Sequence, residues 1–314
     1  MPLSNSQARV VDPVLTRIAH GYQNAERVGN ALFPQVDSPK RGARVIRFGK
    51  EAFFKYAMRR APGARKQRVM YGFAADVIAL VQDALEGQVP IEWIEESEGL
   101  PNVNHQTRAV NNVMASMTLG LEIEQANLAT DPANYDAANK TTLTGTDQWS
   151  DAAADPGAQV RDYKDVVRKS CGVNPNVMNF GPDAWRALQS NAKIREQFKY
   201  TSAESITREM AAAYFQVDQV NVGNAVFADP ADPDADFQDV WGDNVVLAYV
   251  PQQGQNIEVP SFGYTYVLPG HPQVMMGYWE DATDSWISPA KFDRQAILTG
   301  VSAGFLISDV NGAS

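Results

Sequence analysis

Apolar residues recur at helical spacing along one long stretch of the chain, from residue 108 to residue 129. The repeating positions are Val110, Val113, Met114, Met117, Leu121 and Leu128. Asp131-Pro132 ends the pattern, because proline cannot continue a helix. The spacing predicts a helix about 33 Å long, at about 1.5 Å per residue. Gly120 is the position inside it that most weakens helix continuity.

Shorter periodic segments lie on both sides of this helix. Helical spacing predicts further helices at residues 14–22, 159–170, 182–189 and 204–215. Apolar and β-branched runs predict strands at residues 176–180, 217–222, 225–228, 245–250 and 262–268, and β-structure in the tail at 274–279, 296–301 and 305–310. The mixed order of helices and strands favours the α+β class.

Two extended segments flank a turn in the first quarter of the chain. β-branched and aromatic residues predict strands at residues 44–48 and 69–80, and Arg60-Ala61-Pro62-Gly63 between them is typical of a turn. Together they predict a long hairpin. Because an isolated two-stranded hairpin is marginally stable at best, we expect another surface to hold it.

Charge is strongly segregated along the chain. The whole chain has 27 Lys and Arg against 37 Asp and Glu, a formal net charge of -10. Residues 40–68 hold 11 of the basic residues and one acid, Glu51, a local charge of +10. Residues 69–100 follow with seven acids and no Lys or Arg. A complementary acidic surface on another copy of the chain is one candidate for the surface that holds the basic hairpin.

Composition limits the class of protein. With 314 residues, 44% hydrophobic and 20% charged, the chain has ordinary globular composition. Residues 1–10 lack a secretory signal and no apolar run reaches membrane-spanning length, so we expect a soluble protein. Cys171 is the only cysteine, which excludes an internal disulfide and fits synthesis in a reducing cytoplasm.

Three local sequences resemble those of one known family. Residues 12–16 (Asp-Pro-Val-Leu-Thr), leading to 31–36 (Ala-Leu-Phe-Pro-Gln-Val), are similar to capsid arms. Residues 174–179 (Asn-Pro-Asn-Val-Met-Asn), followed by 183–188 and Ile194-Arg195, resemble the start of an axial domain, and 303–307 (Ala-Gly-Phe-Leu-Ile) is similar to a closing shell strand. Their order resembles the tailed-bacteriophage major capsid family with the Hong Kong 97-type fold.

The resemblance implies an architecture for almost the whole chain. It implies an N-terminal arm at residues 1–40 and a long E-loop hairpin at 41–85. The peripheral domain would comprise 86–157 and 266–314, with a spine helix at about 103–130. The axial domain would comprise 158–265, with the C-terminal strand assigned to either domain.

The resemblance also implies a structural role and no enzyme activity. The protein would assemble with copies of itself, as hexamers and pentamers, into an icosahedral shell around double-stranded DNA that it does not read by sequence. Scaffolding, portal and decoration proteins are further partners that it allows. We expect no cofactor, no metal and no membrane partner. The protein would reside in the virion capsid and assemble in the host bacterial cytoplasm.

We expect charged side chains to form the contacts between subunits. The basic candidates are Arg44, Arg47, Arg59, Arg60, Arg65, Lys66 and Arg68, and the acidic candidates are Glu92, Glu95, Glu96 and Glu98. The basic segment could also bind DNA through its phosphates. We favour the subunit contact, because a shell that grips DNA tightly would resist packaging and ejection.

Other functions have less support in the sequence. His20, His105 and His271 lack metal-site spacing. Among the acids Asp232, Asp234, Asp236 and Asp243, Phe237 occupies the position where a calcium loop needs glycine, so a solvated acidic loop is favoured. Lys50, Lys55 and Lys66 lie where relatives form covalent cross-links, but no motif marks an asparagine partner. The alternatives kept open are an encapsulin compartment of the same fold and, more distantly, a carboxylate-dependent hydrolase.

Overall fold

A computed structural model of the chain describes residues 11–22, 24, 26–47, 59, 74–97, 104–199, 206–228, 232, 236–251 and 261–312. In these residues the fold mixes helices with two large sheets. No helix in the described ranges is long and apolar enough to span a bilayer.

Eight α-helices lie in the described residues. In chain order they are α1 (Pro13–Gly21), α2 (Gly29–Leu32), α3 (Ile91–Glu96), α4 (His105–Thr130), α5 (Pro156–Cys171), α6 (Pro182–Ser190), α7 (Ala192–Gln197) and α8 (Arg208–Phe215).

Fifteen strands lie in the described residues. They are β1 (Gln35–Asp37), β2 (Gly42–Arg47), β3 (Ala74–Ala79), β4 (Val81–Pro90), β5 (Lys140–Thr142), β6 (Val177–Phe180), β7 (Gln219–Val222), β8 (Val226–Phe227), β9 (Gln238–Asp239), β10 (Val245–Ala248), β11 (Gly263–Val267), β12 (Gln273–Val274), β13 (Tyr278–Glu280), β14 (Ser285–Leu298) and β15 (Gly304–Ser308).

The two large sheets are built from different parts of the chain. The five-stranded sheet has the order β5-β15-β10-β6-β7, so the last strand lies inside it. The six-stranded sheet has the order β1-β11-β14-β12, with β13 and β4 also paired to β14. Strands β2 and β3 form a separate antiparallel pair, in which Gly42 lies opposite Ala79 and Arg47 opposite Ala74.

Helix α4 lies beside the six-stranded sheet. The side chain of Asn104 caps its start by accepting from the Thr107 amide at 3.0 Å. Its 26 residues pass through Gly120 without a break and end before Asp131. Val110, Met114 and Met117 are buried against Phe292 of β14, so the predicted apolar stripe is the packing face of this helix.

Most predicted elements are confirmed with shifted ends. The predicted helix at 204–215 begins at Arg208, because the Thr207 side chain caps it by accepting from the Met210 amide; residues 204 and 205 lie outside the described residues. The prediction for the C-terminal tail was wrong in one respect. A single strand, β14, runs from Ser285 to Leu298, and most of it was not predicted because both of its faces are buried and its sequence does not alternate.

The C-terminal segment is fastened by a half-buried carboxylate. Asp243 accepts the Asn311 amide through its two oxygens at 2.9 and 2.8 Å. Burial raises the pKa of Asp243 to about 6. The hydrogen bond from Asn311 opposes this shift, and the nearby carboxylates of Asp183 and Asp309 add to it. The folded state therefore binds this proton more tightly than the unfolded state does.

This raised pKa gives a testable pH dependence. The contribution of Asp243 to stability is fully present below its ordinary pKa of 3.8 and is lost as the pH rises through about 6. The variant Asp243→Asn keeps an acceptor for Asn311 but does not titrate. We expect its free energy of unfolding to change less than that of the wild type between about pH 4 and about pH 7, measured by denaturant unfolding. An equal change in both proteins would contradict the assignment.

Candidate functional site

The N-terminal segment, helix α4 and the turn that leads into β10 meet at one buried carboxylate. Glu122 is 2% exposed. Its Oε1 accepts the amides of Val28 at 2.9 Å and Gly29 at 3.0 Å, and its Oε2 accepts Gly29 at 2.9 Å. The indole Nε1–H of Trp241 donates to the same Oε1 at 2.7 Å. We call Glu122 and these three partners the Glu122 joint.

The backbone at the Glu122 joint is packed too closely for any side chain at position 29. A Cβ on Gly29 would meet the Oε2 of Glu122 at 2.9 Å and would also collide with Gln125. Gln125 is fully buried one turn further along α4, and its amide donates to the Asn30 and Thr265 side chains at 3.0 and 2.9 Å. Close packing at Gly29 therefore holds the N-terminal segment in place together with the hydrogen bonds to the Glu122 carboxylate.

Around the Glu122 joint, apolar side chains connect α4 with the five-stranded sheet. Ala126 and Ala129 of α4 pack with Phe262, Trp241 and Leu32 in one buried cluster. The rings of Phe33 and Phe262 lie 5.6 Å apart. Its buried strand residues, Val246 and Leu306 among them, belong to the five-stranded sheet, and Leu298 of β14 packs against them, so the polar joint sits at the edge of a continuous core.

Helix α1 is held against both α4 and β12. Asp12 caps it by accepting the Val14 and Leu15 amides at 2.8 and 2.9 Å. The Thr16 hydroxyl donates to the Val274 carbonyl at 3.3 Å, and the Val274 amide donates back to that hydroxyl at 3.1 Å. The N-terminal segment thus has a second attachment, on the six-stranded sheet.

The base of the β2–β3 hairpin is tied to the six-stranded sheet by an ion pair. Arg41 lies 2.6 Å from Asp293, a residue of β14 that is fully buried. The Leu80 amide also donates to the Arg41 carbonyl at 2.8 Å. The ring of His271 accepts the Asp293 amide through Nδ1 at 3.1 Å, and burial lowers the pKa of His271, which favours the neutral ring that this bond requires.

The next residue of β14 points to the opposite face and binds α4. Arg294 is 5% exposed and lies 2.6 Å from Glu124 of α4 and 2.6 Å from Asp83 of β4. Because the two carboxylates share one guanidinium, it links the helix, β4 and β14. Strand β14 therefore carries two adjacent buried charges that attach the hairpin base on one face and the long helix on the other.

Short helix α3 presents the acidic surface that the sequence predicted. Glu92, Glu95 and Glu96 are exposed on it, and none forms an ion pair within the described residues. Trp93 beside them is 56% exposed. The helix follows β4 directly, so this surface lies at the end of that strand.

The basic candidates are only partly described. Arg59 is exposed, and the backbones of Arg44 and Arg47 lie in β2, while their side chains are outside the described part. Arg60, Arg65, Lys66, Arg68 and Glu98 lie outside the described residues. The structure thus places Glu92, Glu95, Glu96 and the hairpin base, and the predicted pairing between the acidic and basic candidates remains a prediction.

Sequence reasoning missed the buried polar residues at the joints. Glu122, Asp293 and Arg294 were not singled out, although they organise the contacts described above. One signal was present for the joint on α4: Gln125 falls four residues after Leu121, on the apolar stripe of the helix, where a polar side chain needs a buried partner. Strand β14 offered no such signal.

A cavity near the C-terminus holds the carboxylates that a hydrolase would need. It has a volume of about 750 Å³ and is lined by Asp183, Asp243 and Asp309. Asp243 is bonded to the Asn311 amide and Asp183 pairs with Arg186 one turn away, so both have structural partners. Cys171 is buried, and burial raises the pKa of its thiol, which disfavours the reactive thiolate.

Comparison with known proteins gives relatives over almost the full length. Residues 132–260 match the family model described as phage major capsid protein E. The major capsid protein of Burkholderia phage BcepMu is 36% identical over 311 residues, which cover 98% of this chain and 99% of that protein. The crystal structure of a phage-related protein from Bordetella bronchiseptica RB50 is 37% identical, with a TM-score of 0.85, and the match covers 98% of this chain and 100% of that one.

More distant structures share the fold. The mature capsid of bacteriophage PhiM1 is 15% identical with a TM-score of 0.53, covering 91% of this chain and 87% of that one. The encapsulin of Synechococcus elongatus is 12% identical with the same TM-score, covering 100% and 98%. At such low identity these two likenesses concern the fold alone.

The Glu122 joint predicts a large loss of stability on truncation. Glu122→Ala would leave the Val28 and Gly29 amides and the Trp241 indole buried without an acceptor, and each such group costs about 1–3 kcal/mol. We expect a loss of about 3 kcal/mol or more in the free energy of unfolding, measured by denaturant unfolding of the protomer. Glu122→Gln, which keeps one acceptor, should lose less.

The control for this prediction is Asn127→Ala, an exposed position on the same helix. It should change the free energy of unfolding by no more than about 0.5 kcal/mol. If Glu122→Ala unfolds at the same denaturant concentration as this control, the hydrogen bonds of Glu122 do not make the predicted contribution to the free energy of unfolding.

Proposed function

The chain belongs to the phage major capsid protein family and forms the shell of a virion, and we propose that this shell is icosahedral, with the Hong Kong 97-type fold in each subunit. The observation that carries the proposal is the β2–β3 pair. Within the described residues these strands pair only with each other, while Arg41 and Leu80 attach their base to the six-stranded sheet. Such a two-stranded extension needs a neighbouring surface to be stable.

The arrangement of the sheets supports a division into arm, hairpin, peripheral and axial parts. The proposed axial domain at 158–265 corresponds to the five-stranded sheet with α5, α6 and α8. Two strands of this sheet, β5 and β15, come from outside that range. The six-stranded sheet with α4 corresponds to the peripheral domain. Since β11 pairs with β14, we place the boundary before Gly263 rather than at residue 265.

The proposed contents of the shell are the double-stranded DNA of the phage, held without sequence-specific contacts. Outside residues 40–68 the chain carries 16 basic and 36 acidic residues, a net charge of -20 that disfavours a tight grip on phosphates. Scaffolding, portal and decoration proteins are proposed partners, and assembly is proposed to occur in the host cytoplasm. An encapsulin of the same fold would enclose protein cargo, so nucleic acid in purified particles separates the two.

We place the main electrostatic contact between copies at helix α3. Glu92, Glu95 and Glu96 are exposed there and have no ion-pair partner in the described part of the chain. The basic segment at residues 40–68 carries the complementary charge, with Arg59 exposed. Each exposed pair contributes little alone, about 0–1 kcal/mol, but a shell repeats the contact at every subunit.

Charge reversal tests this contact. We expect Arg59, Arg60, Arg65 and Lys66 changed together to Glu to give soluble protomers that do not form shells, because like charges would then face each other. Glu92, Glu95 and Glu96 changed together to Lys should have the same effect. Sedimentation and electron microscopy of the purified proteins measure the yield of particles.

Combining the two sets of changes provides the matched control. The combined variant restores opposite charges, so it should recover particles that each set alone loses, and its particles should weaken at high salt as exposed ion pairs do. Wild-type particle yield from either single set would refute the contact. Loss of particles in the combined variant would show that the two surfaces do not face each other.

A further inference from the structure

The C-terminal segment contains the only Asn-Gly pair in the sequence, Asn311-Gly312. Because glycine has no side chain, its backbone can approach a neighbouring group more closely than that of any other residue. In an Asn-Gly pair, the group within reach of the glycine nitrogen is the side-chain amide carbon of the asparagine. This pair is therefore the place in the chain where an asparagine can cyclise onto the backbone with the least steric resistance.

The pair lies outside the regular secondary structure. Strand β15 ends at Ser308, and residues 311 and 312 belong to no helix or strand. Both residues are partly exposed. The side-chain amide of Asn311 forms no hydrogen bond to any other described residue, so it is free to rotate toward the backbone.

Two side chains hold the backbone amides of the pair. The carboxylate of Asp243 accepts the Asn311 amide at 2.9 and 2.8 Å, and the Gly312 amide donates to Oγ of Ser150 at 2.9 Å. The second bond engages the nitrogen that would attack the asparagine side chain. Since that nitrogen must give up its hydrogen bond before it can react, Ser150 opposes the reaction.

The hydrogen bond from Gly312 to Ser150 slows the reaction without preventing it. Ser150 is exposed, so water can replace its hydroxyl as the acceptor of the Gly312 amide. From the usual net strength of a protein hydrogen bond, loss of this contact would accelerate the attack about two- to tenfold.

The side chain of Asn311 borders a cavity that already holds three carboxylates. The cavity of about 750 Å³ is lined by Asp183, Asp243 and Asp309, and its one basic side chain in the described part of the chain, Arg186, pairs with Asp183. Burial and, to a smaller degree, the charges of Asp183 and Asp309 raise the pKa of Asp243 to about 6. A further carboxylate at position 311 would add repulsion where Asp243 fastens the segment.

We propose that Asn311 is a site of spontaneous deamidation, that the hydrogen bond from Gly312 to Ser150 slows the reaction, and that the product loosens the C-terminal segment. In the first step the backbone nitrogen of Gly312 forms a bond to the side-chain carbonyl carbon of Asn311. The proton of that nitrogen passes to the side-chain amide group, which leaves as ammonia, and a cyclic imide remains. Water then adds to either carbonyl of the imide and opens the ring, which gives aspartate or isoaspartate at position 311.

Both products disturb the attachment of the segment. Each places a carboxylate where the chain had a neutral amide. Isoaspartate also inserts a methylene group into the backbone, which moves the Gly312 amide away from Ser150. The reaction requires no assembly of the chain, so its test is separate from that of the shell.

Mass spectrometry of the C-terminal peptide tests the reaction. During incubation of the purified chain at neutral pH, residue 311 should gain the mass difference between –NH₂ and –OH. Asn224, which is exposed and is followed by alanine, should convert far more slowly in the same sample. Ser150→Ala should convert at residue 311 about two- to tenfold faster than the wild type. Ser150→Thr keeps the hydroxyl and should convert at the wild-type rate.

Two results of this experiment would overturn the proposal. Equal rates in the wild type and Ser150→Ala would refute the role of the hydrogen bond. Conversion at residue 311 in the urea-unfolded chain, with none in either folded protein over the same period, would show that the folded chain is not modified there.

The variant Asn311→Asp tests the consequence without waiting for the reaction. Above the pKa of Asp243, about 6, the two carboxylates repel each other, so the free energy of unfolding should be lower than that of the wild type. Below that pH Asp243 is neutral and the difference should shrink. The uncharged control Asn311→Gln should follow the wild type at every pH. A stability of Asn311→Asp equal to that of the wild type above this pKa would refute the loosening of the segment.

Discussion

A single buried carboxylate holds the N-terminal segment, the long helix and the turn that leads into β10 of the five-stranded sheet in one arrangement. Glu122 accepts three donors from two distant segments, the Val28 and Gly29 amides and the Trp241 indole. A buried charge is stable only when its hydrogen bonds are complete, so the three segments cannot move apart independently. The glycine at position 29 makes this approach possible.

Strand β14 extends the same arrangement to the hairpin. Its adjacent residues Asp293 and Arg294 point to opposite faces, where they bind Arg41 at the hairpin base and Glu124 on the long helix. The hairpin, the N-terminal segment and both sheets are therefore connected through polar contacts to the buried residues Glu122, Asp293 and Arg294. A subunit built in this way can present its extended parts at fixed angles, which repeated contacts in a closed shell require.

The sequence predicted elements whose periodicity is strong and local. Helix α4 and strands β6, β10 and β15 were found because their apolar residues repeat at the spacing of one buried face. Strand β14 was missed because both of its faces are covered, one by α4 and the other by the hairpin base, so polar residues such as Asp293 lie in the interior. The acidic segment was predicted by its charge, but the helix α3 that it forms was not. The Glu122 joint depends on contacts between residues about 90 and 120 positions apart in sequence, which no local pattern reveals.

The central claim is that this protein is completed by its neighbours in a closed shell. Electron microscopy of the purified wild-type chain tests it most directly. The account predicts uniform closed particles many times larger than the 34.4 kDa protomer. A preparation that contains only stable monomers at all concentrations, with no particles, would contradict it.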